Sequence, residues 1–270
     1  MKTISFILLT VGLMLAQLNL NAGDVKTETR NTGAFTSISS FCSADILLTQ
    51  GSETIVKVEA DEDVIHKVIT KVEDGELKVD IKGMMQNVKV LRVHVTAPQI
   101  TAIKLNGSGD LMGMNLLKAT NLVLAIHGSG DMELDLSATG VKASINGSGD
   151  MKLAGISGNF ELNVNGSGDF IGKNLQLELA EITNHGSGDI RLTGTAVTTK
   201  IKSFSSGDIH TGALKSETVT AQCNGSADIH LYATQNLEVN SFSSGDIYYA
   251  GEPKTKKVSL KGSGELYKSN

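Results

Sequence analysis

The chain has 270 residues, a formal net charge of −5 and 40% hydrophobic residues. No broad basic surface is available to neutralise a phosphate backbone, which excludes nucleic acid as a partner. The 29 glycines and only 2 prolines are typical of an all-β protein with many glycine turns.

The first residues have the order of a secretory signal peptide. Lys2 precedes an apolar run over residues 4–15, and mostly polar residues then lead to Ala22. This order predicts a signal peptide over residues 1–22 and a single exported domain over residues 23–270. The apolar run is too short to span a bilayer, so we expect no transmembrane segment in the mature chain. The expected location is the periplasm, the outer cell surface or the extracellular space.

Residues 30–100 predict irregular N-terminal coils. Alternation of apolar and polar residues predicts strands over residues 46–48, 55–58, 77–81 and 88–95. Between them, after acidic residues at 61–63, five apolar residues have helical spacing: Val64, Ile65, Val68, Ile69 and Val72. We therefore predict a short helix over residues 61–72 that caps the end of a solenoid.

A four-residue motif recurs through residues 101–270. Gly-Ser-Gly-Asp is intact at residues 107–110, 128–131, 147–150, 166–169 and 186–189, and degenerate copies follow at 205–208, 225–228, 243–246 and 262–265. An outlying copy lies at residues 42–45. The acidic residue of the regular copies recurs in steps of 18 to 21 residues. So constant a step predicts one structural coil per repeat, with roughly 19–20 residues in each.

The residues around the motif indicate which side of each coil is buried. The residue after each acid is apolar in all nine copies, and apolar and mostly polar residues alternate before the motif. This pattern predicts strands with one buried face, stacked coil on coil into a parallel sheet. Glycines supply a positive φ or a close backbone approach, so the motif itself is predicted to be a tight corner.

Two further segments carry a family resemblance. Residues 61–82, with their acidic start and the Gly-Glu-Leu-Lys-Val run at 75–79, and residues 93–98 leading to the motif at 104–110 resemble the auto-transporter adhesin, head GIN domain family of Bacteroidetes. The resemblance covers nearly all of the mature chain. It implies a right-handed, single-stranded parallel β-helix and a cell-surface or adhesive role, and it supplies no catalytic residues.

The acids of the motif are the most conspicuous candidate site. Stacked coils place them about 5 Å apart, where like charges repel and a cation could screen them. Glycine- and aspartate-rich turns of other solenoids bind Ca²⁺, and the candidate metal ligands here are Asp110, Asp131, Asp150, Asp169, Asp189 and Asp208. We favour the alternative that each carboxylate accepts hydrogen bonds from amides of its own or the next turn and needs no cofactor. His210 and His230 occupy equivalent positions in adjacent coils and are interpreted as an exposed pair, because no third metal ligand is evident.

Aromatic residues are concentrated in the last third of the chain. Exposed rings there could stack on sugars, contact a partner protein or cover the open end of the solenoid. The candidate residues are Phe204, Tyr232, Phe242, Tyr248 and Tyr267.

The two cysteines test the geometry of the stack. Cys42 and Cys223 are expected to lie about nine coils apart, or roughly 40 Å at the spacing of strands in a sheet. A disulfide requires Cα atoms within about 7 Å, so no intramolecular disulfide is predicted.

These observations favour a non-enzymatic, exported adhesin or scaffold that binds a carbohydrate or a surface protein, and they leave self-association open. One alternative is a polysaccharide-active β-helix enzyme, which would need clustered acids with a nearby base. The acids instead recur evenly, one in each coil. A second alternative is a structural domain stabilised by Ca²⁺.

Overall fold

The computed structural model describes residues 24–269, and the predicted signal peptide lies outside them. The chain forms one 19-stranded sheet wound into a β-solenoid of about nine turns. Its strands are β1 Val25–Arg30, β2 Ser37–Ser40, β3 Asp45–Gln50, β4 Ile55–Asp61, β5 Val68–Glu73, β6 Glu76–Ile81, β7 Leu91–Ala97, β8 Ala102–Leu105, β9 Leu111–Gly113, β10 Leu117–Ile126, β11 Met132–Ile145, β12 Met151–Val164, β13 Phe170–Asn184, β14 Ile190–Ser203, β15 Ile209–Cys223, β16 Ile229–Ser241, β17 Ile247–Ala250, β18 Thr255–Leu260 and β19 Leu266–Lys268.

The register confirms the coil length predicted from the motif. Strands β11 to β16 each run almost once around the solenoid, and each pairs in parallel with the equivalent strand of the next coil. The apolar residue after each acid pairs with its counterpart, as in the step from Met132 to Met151 to Phe170. The predicted parallel β-solenoid is therefore confirmed.

The core consists of inward-facing columns that run from coil to coil. The residues after the acids and those at alternate positions before the motif are buried, as predicted. The largest of them meet in the middle of the stack, where the rings of Phe160 and Phe170 lie 5.4 Å apart. Alternation thus places one face of every strand in a continuous apolar interior.

The motif glycines are required by close backbone contact rather than by their own dihedral angles. A Cβ added to Gly149 would lie 2.1 Å from the carbonyl oxygen of Gly130, and one added to Gly168 would lie 2.0 Å from that of Gly149. Neither glycine has a positive φ. The corners of successive coils therefore stack with backbone directly on backbone.

The outlying copy of the motif is the first rung of the stack. The N–H of Ser108 donates to the carbonyl of Cys42 at 3.2 Å, and β2 and β3 pair in parallel with β8 and β9. Residues 51–101 leave this coil, build the N-terminal end of the sheet and return to the coil at β8. Within them, β6 and β7 pair in parallel with β2 and β3 on the other side of this first rung. In that end β4 pairs with β1 and β7 in antiparallel fashion, and β5 and β6 form a hairpin.

The predicted helix over residues 61–72 is wrong. The structure has only a 3-10 turn at Ile65–Lys67, and β5 begins at the next residue. The β-branched residues from Val68 to Val72 favour an extended strand, which pairs with β6 across a turn with positive φ at Asp74 and Gly75. Across residues 24–269, no helix is long and apolar enough to cross a bilayer.

The cysteines lie in the same stack, closer together than the sequence suggested. Seven rungs, not nine coils, separate the copy of the motif at residues 42–45 from the one at 225–228, because residues 51–101 add no rung between them. Cys42 and Cys223 are both buried free thiols. Burial raises the pKa of Cys223 to about 12, which makes its thiol a poor nucleophile in the folded protein.

The backbone contact at the corners predicts the effect of adding a side chain there. Gly149→Val should lower the free energy of unfolding by about 3 kcal/mol or more, because its Cβ collides with a carbonyl that cannot move without shifting a whole coil. Gly212→Ala is the control, since its Cβ would meet only His230 Cβ at 3.7 Å. Urea unfolding of both variants measures the difference. Equal stabilities would contradict the stacked-corner assignment.

Candidate functional site

The acids of the motif form a hydrogen-bonded column that we call the carboxylate ladder. Oδ1 of Asp131 accepts the backbone N–H of Asp150 at 2.8 Å, and Oδ1 of Asp150 accepts that of Asp169 at the same distance. The same contact joins every successive pair in the stack, and the ladder comprises Asp45, Asp110, Asp131, Asp150, Asp169, Asp189, Asp208, Asp228, Asp246 and Glu265.

The ladder shows how a column of like charges is tolerated. Each aspartate of the ladder receives a charge-assisted hydrogen bond from the coil above it, which offsets the repulsion between neighbouring acids. The six candidate metal ligands all lie in this line. Nowhere in residues 24–269 do three or more histidine, cysteine or acidic side chains converge in a group that could hold a metal ion. Oδ1 of each aspartate is thus committed to the backbone, and Oδ2 of Asp189 also accepts the guanidinium of Arg191 at 2.9 Å.

Outward-facing side chains two residues after each acid form a second column beside the ladder, partly buried at residues 210, 230 and 248 and exposed at residue 267. In the last four coils this column becomes a continuous stack of rings, which we call the ring stack: His210, His230, Tyr248 and Tyr267. Ring centroids along it are 5.0, 4.7 and 5.3 Å apart, with nearly parallel planes. The strand register creates the stack because these residues are paired neighbours in β15, β16, β17 and β19.

The electrostatics of the ring stack follow from its contacts. Partial burial, together with the neighbouring His210 ring, lowers the pKa of His230, which favours the neutral imidazole near neutral pH. At the end of the stack, the Tyr267 hydroxyl donates to Glu265 Oε2 at 2.8 Å, and this hydrogen bond raises the tyrosine pKa to about 12. The rings of His230, Tyr248 and Tyr267 therefore favour their uncharged forms beside a line of carboxylates.

The five aromatic residues predicted from the sequence do not form one strip. Tyr248 and Tyr267 lie in the ring stack. Phe204 stacks on His185 at 4.7 Å in the column just before the motif, and Phe242 in that same column lies under the Lys261 ammonium. Tyr232 occupies a third position, paired with Ala250.

The ring stack includes two residues that the sequence reading set aside. His210 and His230 were identified as neighbours but interpreted as an incidental pair. Aligning the position two residues after each acid would have continued that pair into Tyr248 and Tyr267. The column just before the motif contains an amide pair, in which Asn165 Nδ2 donates to Asn146 Oδ1 at 2.9 Å.

A separate groove on the outer face brings two glutamates together. This depression of about 410 Å³ is lined in part by Lys142, Glu161 and Glu181. Lys142 Nζ lies 2.9 Å from Glu161 Oε2, and Lys200 Nζ lies 2.9 Å from Glu181 Oε1. The hydrogen bond from Lys142 lowers the pKa of Glu161. This pairing holds the carboxyl ionised, which is the reverse of what a general acid for glycoside hydrolysis requires.

Comparison with known proteins identifies a family and a shared fold. The family model "Putative auto-transporter adhesin, head GIN domain" matches residues 34–193 and 156–253. A search of the curated proteins finds no match. The family and the solved structures similar to this chain bear the names of adhesins or binding proteins, not of enzymes.

Three solved structures illustrate the similarity of the fold. A putative lipid binding protein from Parabacteroides distasonis is 24% identical, with a TM-score of 0.65 over 92% of this chain and 98% of that one. A putative adhesin from Parabacteroides merdae is 20% identical, with a TM-score of 0.66 over the same shares. A putative adhesin from Parabacteroides distasonis is 21% identical, with a TM-score of 0.67, again over 92% and 98%. At these identities the likeness concerns the fold alone.

The ladder predicts different outcomes for two substitutions at one rung. Asp150→Ala removes the acceptor for the Asp169 N–H and should lower the free energy of unfolding by about 1–3 kcal/mol. Asp150→Asn keeps an oxygen acceptor and removes one like charge, so it should cost less than about 1 kcal/mol. Denaturant unfolding measures both values.

The same variants test the Ca²⁺ alternative. If the carboxylates serve the backbone alone, the melting temperature of the unsubstituted protein will be the same in Ca²⁺ and in EDTA. A melting temperature that rises with Ca²⁺, and no longer does so in Asp150→Asn, would instead show a cation held by the ladder.

Proposed function

Because the chain belongs to the auto-transporter adhesin, head GIN domain family, we propose that it is an exported, non-enzymatic adhesion module that binds a carbohydrate through its ring stack. The observation that carries this proposal is the run of four stacked rings on the exterior, beside the carboxylate ladder. The predicted signal peptide and the family's adhesin name support export to the cell surface.

The geometry of the ring stack determines which groups a ligand would contact. Stacking occupies the faces of His230 and Tyr248, so the surface offers ring edges, ring nitrogens and tyrosine hydroxyls. The next column offers the second oxygen of Asp208 and Asp228, which can accept hydrogen bonds from sugar hydroxyls. An apolar ring surface with a few fixed polar groups is the usual composition of a site for a polar organic ligand.

Charge favours a sugar over an anionic surface. The ladder contributes a line of negative charge along the corner, and the whole chain carries −5. Anionic lipid headgroups and acidic polymers would be repelled there. One structural neighbour is named a lipid binding protein. For this chain, that name supports a ligand-binding role more than binding of the ring stack to a membrane. A surface protein that presents hydroxyl or basic groups is the second candidate ligand.

A glycan and matrix-protein array probed with the purified protein tests the proposal. We expect binding to a subset of neutral glycans, and Tyr248→Ala should weaken that binding at least about tenfold because it interrupts the ring stack. Phe204→Ala is the matched control, since this exposed ring lies outside the stack and its loss should leave affinity unchanged. Both variants should retain the melting temperature to within a few degrees.

Two outcomes would count against this function. Equal affinity of Tyr248→Ala and the unsubstituted protein would place the site elsewhere. Release of reducing sugar from any glycan on the panel would support the polysaccharide-active enzyme instead.

A further inference from the structure

The two ends of the solenoid are closed to different degrees. At the N-terminal end Phe35, Ile65 and Val68 lie over the core and are 3–4% exposed. At the C-terminal end Leu260 is 39% exposed, and the other inward-facing apolar residues, Val258 and Leu266, are only partly buried. The core is therefore covered at one end and open at the other.

The open end also has unused backbone hydrogen-bonding groups. In the coils below, the residue after each acid donates its N–H to the next acid's carbonyl, as Ile247 does to Glu265 at 2.8 Å. Leu266 is the next residue in this series, and residues 24–269 contain no further coil to accept its N–H. Directly after β18, the N–H of Lys261 donates back to the carbonyl of Ser241 at 2.7 Å. Because parallel strands alternate the side to which their amides point, the N–H and C=O of Leu260 face away from the body.

The last coil is positively charged. Residues 252–268 contain five lysines and two glutamates, namely Lys254, Lys256, Lys257, Lys261, Lys268, Glu252 and Glu265. Lysines along an edge strand oppose pairing with an identical edge, because like charges would face each other. Lys257 and Lys268 are ion-paired with Glu238 and Glu252. Lys254, Lys256 and Lys261 make no ion pair within residues 24–269 and can attract a strand that carries acidic residues.

The last rung is also unsuited to a second copy of the repeat. Glu265 Oε2 accepts the hydroxyl of Tyr267, so this carboxylate turns back toward its own coil. The aspartates below it instead hold the N–H of the coil above, as Asp246 does for Glu265 at 2.9 Å. The rung that would receive another Gly-Ser-Gly-Asp corner is therefore not preformed.

We propose that the edge formed by β18 and β19 is a strand-addition site for an extended, acidic segment of a partner protein. The added strand pairs with the outward N–H and C=O groups of β18, its apolar residues cover Leu260 and Leu266, and its acidic residues meet the lysines of the last coil. This site lies at the end of the solenoid and is independent of the carbohydrate proposal for the ring stack.

Fluorescence anisotropy with two labelled peptides tests the site. One eight-residue peptide alternates glutamate with valine, and the other has lysine in place of each glutamate. We expect the glutamate peptide to bind with an affinity that falls as salt is raised, and the lysine peptide to bind at least about tenfold more weakly. Equal binding of the two peptides, or no binding of either, would overturn the proposal.

Two kinds of variant locate the peptide on the edge. Leu260→Pro removes an N–H that points away from β16 and should weaken the glutamate peptide about tenfold with little change in melting temperature. If Leu260→Pro unfolds, a second variant with both Lys254→Glu and Lys261→Glu tests the site. We expect this double variant to bind the glutamate peptide about tenfold more weakly. Its control is Lys173→Glu, Lys215→Glu, which makes the same change in net charge on two exposed lysines in earlier coils. Equal loss in the control would show non-specific charge attraction only.

Sedimentation measures whether a second copy of the chain binds the edge instead of a partner. The protein should remain monomeric, because its lysine edge repels its own copy. A dimer that disappears in Leu260→Pro would assign the edge to self-association and overturn the proposal of an acidic partner.

Discussion

The direct stacking of backbone on backbone at each corner is the constraint from which the rest of the structure follows. A carbonyl oxygen occupies the place where the next glycine's Cβ would be, as Gly130 does beneath Gly149. At most rungs glycine permits this close approach. Ser205, Ala227 and Ser243 replace a glycine in later copies, and the aspartate contact is kept there at 2.7–2.9 Å. The close approach puts the aspartate of one coil within hydrogen-bonding distance of the next aspartate's amide, so glycine and acid act together to fix the register. Once the register is fixed, every inward column is continuous and every outward residue has a neighbour of the same coil position.

Much of the fold could be predicted from the sequence because the spacing of the repeat equals the offset between paired residues of neighbouring coils. The acid spacing gave the coil length, and the apolar residue after each acid gave the buried face. Prediction was poorer where residues are not repeated. The helix over residues 61–72 was wrong because apolar spacing over one turn, from Val64 to Val68, is compatible with a 3-10 turn running into a strand. Residues 30–100 were predicted to be irregular coils because their strands alternate in the same way. Long-range pairing shows that β6 and β7 do pair in parallel with β2 and β3, whereas β4 and β5 make antiparallel pairs that the alternation does not reveal.

The site was harder to predict than the fold, for a physical reason. In a solenoid the most repeated residues are those that hold the coils together. The aspartates resemble a ligand motif, but one oxygen of each accepts a backbone N–H of the next coil. Residues that are free to vary lie in the exterior columns, and their meaning depends on which neighbour the register supplies. Tyr248 is unremarkable as a single residue and becomes part of a surface only because His230 and Tyr267 are its paired neighbours. Aligned columns, rather than motifs read along the chain, carry the information about binding.

The same logic distinguishes the sides of the solenoid from its ends. A side is built from many coils and can carry an extended surface, whereas an end exposes the edge of a single coil together with the core behind it. Solenoids need different residues in their terminal coils, because an unmodified last coil would accept another of its kind. Here the final acid is Glu265, which bonds to Tyr267, and lysines surround the final strand. These departures from the repeat remove the features that would extend the stack with an identical coil, while the outward amides of β18 and the half-covered Leu266 remain. In the proposed strand addition, these departures exclude an identical coil and favour an acidic strand.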